Sequence, residues 1–447
     1  VAELPFDYQT KYHATVHETD GRKLLVVVGA PETILGLSKN IERESLEATF
    51  VQLSAEGLRV LGMAVRYDPP ENLTPEHIKG LTFVGFVGMK DALRPEVSEA
   101  LLRSREAGIR VVMITGDHKL TGKTIAAEAG IWREGDHVFT GEEIDAMGED
   151  ELSEKLGTVS VFARVTPEHK LRIVRAYKAR GEIVAMTGDG VNDALSLVAA
   201  DLGVAMGKIG TEVAKEASDI VLLDDNFGSI VSAVEEGRSI YKTIKKVILY
   251  LFSTGVGEVL TIAGALFLGY PLPLLPSQII WLNFVTDGFL DVALAMEPKE
   301  EGLLRGNFEH PKKYLVDKLM IQRMFWMAVP MMIGTLFLFR EYIQTDMTKA
   351  WTISLTLLAV FQWFNAWNCR HESKSIFRMN PFANKFLVLA TAIIILLQLL
   401  IVYHPVMQRL FKTAPLALSE WAVIVAIAFS VIVVEEARKF FHRRRLA

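Results

Sequence analysis

The clearest candidates for chemistry are two carboxylates in the string TGDGVND, which covers residues 187–193. The string follows the apolar residues 183–186, so Asp189 and Asp193 are expected at the end of a strand. In an open parallel sheet, ligands bind outside the carboxyl ends of the strands, where glycine-rich turns bring backbone N–H groups close to anions. We therefore predict a metal and phosphate site in which Asp189 holds Mg²⁺, while Asn192 and Asp193 tether the loop.

Two further segments follow predicted strands. Thr115, Gly116 and Asp117 come after the apolar residues 111–114 and offer a hydroxyl group and N–H groups to a phosphate. Lys170 ends the string PEHK, which follows another apolar run, and it supplies a fixed positive charge. A lone lysine of this kind is typical of a solvated helix start, but the three segments together favour phosphoryl transfer.

These segments need a sheet that brings strand ends together. Short apolar runs alternate with amphipathic helical stretches, and this alternation predicts a βαβ sheet with helices on both faces. The predicted strands cover residues 81–88, 109–114, 159–163, 183–186, 202–206 and 220–223.

The rest of the chain has the composition of a membrane protein. Charged residues concentrate in residues 1–240, whereas six apolar runs follow, each near the roughly 20 residues that span hydrocarbon. The predicted spans are about 244–266, 275–296, 318–339, 349–368, 384–403 and 417–436. The net charge of −5 gives no support for a nucleic-acid partner, and the single cysteine excludes an intrachain disulfide.

The charges that flank the spans predict their orientation. An even number of spans puts both termini on one side, and basic clusters at Lys242, Lys245 and Lys246 and at residues 443–445 assign that side to the cytoplasm. We therefore expect a multi-pass integral protein of the plasma membrane, with the lipid bilayer as a partner and the soluble part in the cytoplasm.

Polar residues within the spans predict an ion site. Glu258 lies in the first span, and Asn283, Thr286 and Asp287 lie in the second at spacings of three and four, which predicts one helical face. Carboxylate, amide and hydroxyl oxygens suit a hard cation such as Ca²⁺. The alternative is a polar network that only packs helices together.

Three strings resemble those of P-type cation-transporting ATPases, members of the haloacid-dehalogenase superfamily. They are FARVTPEHK at 162–170, TGDGVND at 187–193 and DDNF at 224–227, in the family order and spacing. The resemblance implies a multidomain membrane protein with a partial α+β nucleotide-binding domain over 1–88. It also implies an α/β Rossmann-like phosphorylation domain over 89–228, and a stalk with an α-helical transmembrane bundle over 229–447.

The resemblance also implies ATP as the energy source. In such pumps Thr115, Gly116, Asp117, Lys170, Asn192 and Asp193 would serve phosphoryl transfer. Arg59 would contact the nucleotide phosphates, and Asp91 would lie near the ribose. Val28 stands where the family usually has a lysine that lines the adenine pocket.

The membrane strings VGEV at 256–259 and NFVTDG at 283–288 resemble the ion-binding segments of sarco/endoplasmic-reticulum-type Ca²⁺ pumps. This implies that Glu258, Asn283, Thr286, Asp287 and Gln362 bind the transported cation. Gly255 and Gln362 stand where Asn and Glu are usual, so one of two Ca²⁺ sites is expected to be kept and the other altered. Mn²⁺, Na⁺ and H⁺ remain alternative ions.

The family's phosphorylated aspartate lies in the string DKTGT, which this sequence does not contain. The string TGE at 140–142 is the one that the family carries in its actuator domain, but it is predicted here to cap a helix. We therefore expect the C-terminal portion of a pump, inactive alone, whose partner is the N-terminal half with the nucleophile, the actuator domain and four spans. The alternative is a non-catalytic pseudo-pump.

Overall fold

The computed structural model describes residues 2–7, 9–19, 21–70, 73–90, 92–305, 308 and 315–446. It divides into two compact units: the first is formed mainly by residues up to Ala233, and the second by residues from Val234 onwards. The boundary expected between residues 88 and 89 lies inside the first unit and remains a prediction.

The first unit opens with a five-stranded antiparallel sheet in the order β1-β2-β3-β4-β5. Its elements are β1 Glu3–Leu4, β2 Tyr12–Thr19, β3 Arg22–Gly29, α1 Pro31–Leu37, α2 Arg43–Ala55, β4 Arg59–Tyr67 and β5 Thr82–Met89. The prediction that 81–88 belongs to the βαβ sheet is wrong, because β5 pairs antiparallel with β4. A parallel pair needs a long crossover, and the described residues of the connection between β4 and β5 form only a 3₁₀ turn at Pro75–His77.

The remainder of the first unit confirms the alternation of strands and helices. Two three-stranded parallel sheets have the orders β7-β8-β6 and β9-β10-β11. Their strands are β6 Met113–Ile114, β7 His137–Thr140, β8 Val159–Ala163, β9 Ala185–Gly188, β10 Leu202–Met206 and β11 Ile220–Leu222. The helices are α3 Pro95–Glu106, α4 Lys119–Ala129, α5 Gly141–Asp145, α6 Glu149–Lys155, α7 Pro167–Ala179, α8 Ala194–Ala199 and α9 Glu212–Glu216.

Two details differ from the predicted strands. The strand expected at 109–114 is reduced to β6, and β7 was not predicted. The TGE prediction is confirmed: Thr140 is the N-cap of α5 and accepts from the backbone N–H of Glu143, whose carboxylate accepts in turn from the N–H of Thr140.

The second unit is helical, and the first turns of its first helix, up to Ala233, are counted with the first unit. Its elements are α10 Phe227–Phe267, α11 Pro276–Ile280, a π-helical segment Trp281–Asp287, α12 Gly288–Ala295, α13 Lys318–Tyr342, α14 Met347–Cys369, α15 Lys385–Tyr403, α16 Pro405–Phe411, α17 Leu418–Ala428 and α18 Ser430–Leu446. Five helical stretches in the described chain are long and apolar enough to cross a membrane: Phe227–Phe267, Pro276–Ala295, Lys318–Tyr342, Lys385–Tyr403 and Leu418–Arg444.

Five of the six predicted spans therefore correspond to helical stretches that are long and apolar enough to cross a membrane. Helix α14 forms where the fourth span was expected, and its 23 residues would extend about 34 Å. It falls short in apolarity rather than length, because it carries polar residues such as Thr352, Gln362 and Asn365. Those side chains are buried among other helices, where polar groups can find partners.

Candidate functional site

The side chains predicted at the strand ends of the first unit are called here the strand-end cluster: Thr115, Gly116, Asp117, Lys170, Asp189, Asn192 and Asp193. Lys170 and Asp193 form its centre. Lys170 lies in the first turn of α7, and its ammonium group donates to Asp193 Oδ1 at 2.6 Å. The side chains of Lys170 and Asp193 are only 16% and 7% exposed, so this charge pair is held within the protein.

Asp193 also fastens the loop that follows β9. Its Oδ2 accepts from the backbone N–H groups of Asp189 at 3.3 Å and Gly190 at 3.1 Å. A side chain at Gly188 would not fit, since a Cβ there would lie 2.5 Å from the Cβ of Asp193. The tether leaves Asp189 and Asn192 exposed at the strand end.

The loop after β6 is closed by its own side chains. Thr115 Oγ1 donates to Asp117 Oδ2 at 3.1 Å and accepts from the Asp117 N–H at the same distance. Gly116, between them, is exposed. Arg59 Nε, at the start of β4, lies 3.7 Å from Asp117 Oδ1. The residue that is expected to bind the nucleotide phosphates therefore lies beside the loop that is expected to be catalytic. Asp91 lies outside the described residues.

A cavity of about 440 Å³ opens beside this loop. Of its charged residues, the sequence motifs include only Glu142 and Arg164, within the strings TGE and FARVTPEHK, and neither was predicted to line a cavity. The lining residues are Lys11, Glu32, His118, Lys119, Leu120, Thr140, Glu142 and Arg164. Arg164 forms an ion pair with Glu32. Burial, followed by the charge of Arg164, lowers the pKa of His118, so this imidazole is neutral at pH 7.

The DDNF string anchors a neighbouring loop. Asp225 Oδ1 accepts from the N–H groups of Gly207 at 2.6 Å and Lys208 at 3.0 Å, and Oδ2 accepts from Ile209 at 3.1 Å. These backbone donors, that of Lys208 first, lower the pKa of Asp225. The string therefore holds the loop after β10.

The donor set of the strand end is compatible with Mg²⁺. No group of three or more His, Cys, Asp or Glu side chains that could hold a metal is found in the described part of the chain. Mg²⁺ needs less than this from a protein, since it is commonly held by one or two carboxylates together with phosphate oxygens and water. The exposed carboxylate of Asp189 fits that role.

In the second unit, the carboxylate of Glu258 accepts hydrogen bonds from two side-chain amides. Asn283 Nδ2 donates to its Oε2 at 2.8 Å, and Gln362 Nε2 donates to its Oε1 at 3.0 Å. Glu258 is 5% exposed and Gln362 is 1% exposed. The structure thus joins residues from α10, the π-helical segment and α14 around one carboxylate.

Asp287 is bound by two residues that sequence reasoning missed. Tyr250 Oη donates to its Oδ1 at 2.6 Å, and Thr254 Oγ1 donates to its Oδ2 at 3.2 Å. Both donors lie on α10, four residues apart, facing Asp287. A search for polar residues on the α10 face that carries Glu258 would have found Thr254, four residues before it.

The expected single face for Asn283, Thr286 and Asp287 is only partly present. Thr286 and Asp287 are buried, whereas Asn283 is exposed. The π-helical segment explains the difference, because its hydrogen bonds join residues five apart and α-helical spacing no longer defines a face. Such segments are frequent at functional sites.

Two family descriptions match the chain. Residues 271–441 match "Cation transporting ATPase, C-terminus", and residues 21–201 match "haloacid dehalogenase-like hydrolase". The second match covers the strand-end cluster up to Asp193, and the first covers Asn283, Asp287 and Gln362.

Three relatives resemble almost the whole chain. A "Calcium-transporting ATPase" of Bacillus subtilis is 38% identical over 96% of this chain and 50% of its own length. A "Calcium-transporting ATPase 1" of Saccharomyces cerevisiae is 37% identical over 100% of this chain and 49% of its own length. A "Calcium-transporting ATPase type 2C member 1" of Pongo abelii is 35% identical over 99% and 49%. The chain spans about half the length of the curated relatives that it matches.

Proposed function

The chain belongs to the P-type cation-transporting ATPases, and from this premise we propose that it works within an ATP-driven pump for Ca²⁺. In this proposal the pump forms an aspartyl phosphate and is embedded in the plasma membrane. Its termini and its soluble unit face the cytoplasm, which is supported by the basic residues that flank the apolar helices.

The observation that carries the proposal is the pair of buried carboxyl groups, Glu258 and Asp287. They are 5% and 2% exposed and lie in stretches apolar enough to cross a membrane. A carboxylate in such surroundings is costly unless it is paired. Two negative charges balance one divalent cation, and the amides of Asn283 and Gln362 and the hydroxyl group of Thr286 provide neutral oxygens of the kind that Ca²⁺ accepts.

The strand-end cluster would perform the phosphoryl chemistry. Lys170, held by Asp193, places a positive charge where charge shifts between donor and acceptor oxygens. Thr115 and the exposed N–H of Gly116 would bind phosphate oxygens, and Arg59 would hold the nucleotide phosphates. Mg²⁺, held partly by Asp189, supplies neutralising charge when bound.

The nucleophilic aspartate would come from the other half of the pump. Support lies in the sheet edges: among the described strands, β6 pairs only with β8, and β9 only with β10. A strand that carries the nucleophile could pair with these edges. Its carboxylate would then lie between the Thr115 loop and Asp189, at the strand ends where Lys170 is fixed.

Transport into vesicles tests the ion and the class of protein together. The full-length protein is reconstituted, and ATP-dependent uptake of ⁴⁵Ca²⁺, ⁵⁴Mn²⁺ and ²²Na⁺ and the change in internal pH are compared. We expect Ca²⁺ uptake, its loss in Asp287→Asn, and its retention in Asp291→Asn, a control on the next turn of the same stretch. Uptake of Mn²⁺, Na⁺ or H⁺ without uptake of Ca²⁺ would indicate a pump for that ion instead. Absence of both transport and ATP hydrolysis would favour a non-catalytic pseudo-pump.

A further inference from the structure

A buried glutamine interrupts the apolar helix α15. Between Phe386 and Val402, all side chains of that helix are apolar except Thr391 and Gln398. Gln398 is 1% exposed and lies in a stretch apolar enough to cross a membrane. A polar side chain in such a place is costly unless other helices supply hydrogen-bond partners. Gln398 has two partners, on two different elements.

Gln398 joins α14 to the start of the π-helical segment. Its Oε1 accepts from Trp281 Nε1 at 3.2 Å, and its Nε2 donates to Thr356 Oγ1 at 3.1 Å. Trp281 is the first residue of the segment Trp281–Asp287, and Thr356 is fully buried in α14. An indole N–H only donates and an amide oxygen only accepts, so Trp281 fixes the orientation of the Gln398 amide.

Further contacts hold the same end of the segment. The ring of Trp281 packs edge-on against that of Phe411, with 5.2 Å between the ring centroids. Gln278, one turn earlier, is fully buried and donates to the backbone carbonyl of Phe411 at 2.9 Å. The other end is held by Asp287, whose carboxylate accepts two hydrogen bonds from α10. Side chains of other helices therefore fix the segment at both ends, from α15 and α16 at one end and from α10 at the other.

These tethers explain how the π-helical segment persists between two α-helices. Its hydrogen bonding is rare in proteins and requires more residues per turn than an α-helix. A return to α-helical spacing would turn the residues on one side of the segment by about 100° relative to those on the other side, which is the angle between successive α-helical residues. Such a turn would move Asp287 away from α10, or Trp281 away from Gln398.

We propose that Trp281 and Gln398 are positioning residues of the ion site. Their hydrogen bond holds the π-helical segment in the register that places Asn283, Thr286 and Asp287 at the transported cation. The two residues thus act as the outer partners of metal ligands do, whose loss typically weakens metal binding by about 10- to 100-fold. This inference rests on the proposed function, in which the segment binds the transported cation.

A second tryptophan provides a matched control. Trp367 Nε1 donates to Thr391 Oγ1, also at 3.2 Å, and so joins α14 to α15 by the same kind of bond. Trp367 lies outside the π-helical segment. If the polar residues of α15 only join helices, as such residues commonly do in membrane proteins, loss of either bond should have the same effect. If Gln398 positions the ion site, the two effects should differ.

Hydrogen–deuterium exchange of the full-length protein in detergent, with a chelator and no added Ca²⁺, tests the hold on the segment alone. Trp281→Phe keeps an aromatic ring and loses the N–H donor, and Gln398→Met keeps the side-chain length and loses both bonds. Both should speed exchange in residues 281–287 severalfold. Trp367→Phe should leave exchange there unchanged. Equal exchange of these residues in the wild type and in Trp281→Phe would overturn the proposal.

Equilibrium ⁴⁵Ca²⁺ binding measures the consequence for the ion. Trp281→Phe and Gln398→Met should each raise the dissociation constant for Ca²⁺ about tenfold and leave the number of ions bound per protein unchanged. General damage to the fold would instead lower the number of bound ions, since an unfolded fraction binds none. The double variant should bind Ca²⁺ as tightly as either single variant, because both remove the same bond.

Three binding results would overturn the proposal: an unchanged dissociation constant in Trp281→Phe, additive losses in the double variant, or an equal loss in Trp367→Phe. Failure of the proposed function has a different signature. If the wild type binds no Ca²⁺, the proposed Ca²⁺ pump is contradicted, and the exchange of residues 281–287 still decides whether Trp281 and Gln398 hold the segment.

Discussion

Lys170 and Arg59 both bring positive charge to the strand-end cluster, but their surroundings differ. Lys170 is mostly buried and fixed at 2.6 Å from Asp193, whereas the side chain of Arg59 is 68% exposed and lies 3.7 Å from Asp117. A preorganised charge acts most strongly on charge that develops in the transition state. An exposed guanidinium group is better suited to hold a phosphate in the bound substrate.

We therefore expect Lys170→Ala to slow phosphoenzyme formation in the full-length protein by about 100-fold or more, with nucleotide affinity changed little. Arg59→Ala should weaken ATP binding and leave the rate at saturating ATP nearly unchanged. Rapid-quench phosphorylation over a range of ATP concentrations separates the two effects. Arg175→Ala, exposed on the same helix α7, is the control. A loss of ATP affinity in Lys170→Ala as large as its loss of rate would make Lys170 a binding residue.

Substituting a carboxyl group of the membrane site should reduce Ca²⁺ affinity more than substituting one of its amides. Asp287→Asn should cost more Ca²⁺ affinity than any other single change, because it removes a charge and, by the family resemblance, Asp287 serves the ion site that is kept, whereas Gln362→Ala removes only a neutral oxygen. Equilibrium ⁴⁵Ca²⁺ binding to the full-length protein measures both.

The altered second Ca²⁺ site can be tested by restoring its usual residues. Gly255→Asn has room, since a Cβ at Gly255 would meet no atom within 4 Å. Gln362→Glu combined with Gly255→Asn should raise the Ca²⁺ bound per phosphoenzyme. An unchanged ratio would show that the second site is absent rather than weakened, and Ca²⁺ binding indifferent to Asp287→Asn would contradict the assigned ion site.

At the scale of elements, the cap of α5 distinguishes a structural motif from a catalytic one. Thr140→Ala and Glu143→Ala should each reduce the free energy of unfolding by about 1 kcal/mol, because each removes half of a capping box. Glu142→Ala should have little effect on phosphoenzyme formation or stability. Denaturant unfolding and phosphorylation assays check these expectations. A severe loss of phosphorylation in Glu142→Ala alone would give TGE a chemical role.

The loops after α12 and α14 form a pH-sensitive cluster. Burial raises the pKa of Glu300, but Lys246 and then Lys242 more than offset this and lower it to about 2 from 4.5. Burial, opposed by Glu300, lowers the pKa of His371 from 6.5 to about 4. Between about pH 6.5 and 4, protons therefore bind the unfolded His371 more readily than the folded one, and stability falls as the pH falls.

The contribution of Glu300 follows at lower pH. It is fully present above about pH 4.5 and is lost as the pH falls towards 2. The melting temperature of the protein in detergent should thus decrease from pH 7 to 4, and His371→Asn should flatten that decrease. Glu300→Gln should lower the melting temperature at pH 7 and have a smaller effect near pH 3. A pH profile unchanged by His371→Asn would contradict the shifted pKa.

Sequence patterns predicted those parts of the fold that depend on short-range chemistry. Strand ends, the cap at Thr140 and most apolar helices follow from local spacing. Three features depend on partners distant in the chain: the antiparallel pairing of β5, the buried polar face of α14 and the π-helical segment. The same limit applies to the candidate sites. Tyr250, which contacts Asp287, and Lys11, which lines the cavity of the first unit, belong to no sequence motif, and tertiary packing alone brings them to these positions.

At the scale of the whole molecule, the two parallel sheets leave their edge strands β6 and β9 without a second partner in the described chain. These edges carry the Thr115 and Asp189 loops at their ends. A single parallel strand that paired with both would complete one sheet. It would also place its own terminal residue between the two phosphate loops, beside Lys170.

The last prediction follows from this arrangement. The polypeptide of residues 1–447 alone should form no acid-stable, hydroxylamine-sensitive phosphoenzyme from ATP, because it has no DKTGT string. Co-expression with a polypeptide that supplies such a strand should restore ³²P labelling on the added polypeptide. Asp189→Asn in this chain should reduce that labelling strongly at ordinary Mg²⁺, since the metal would lose its carboxylate here. Labelling of the chain alone, lost on changing one of its own aspartates, would refute the division of the site between two polypeptide segments.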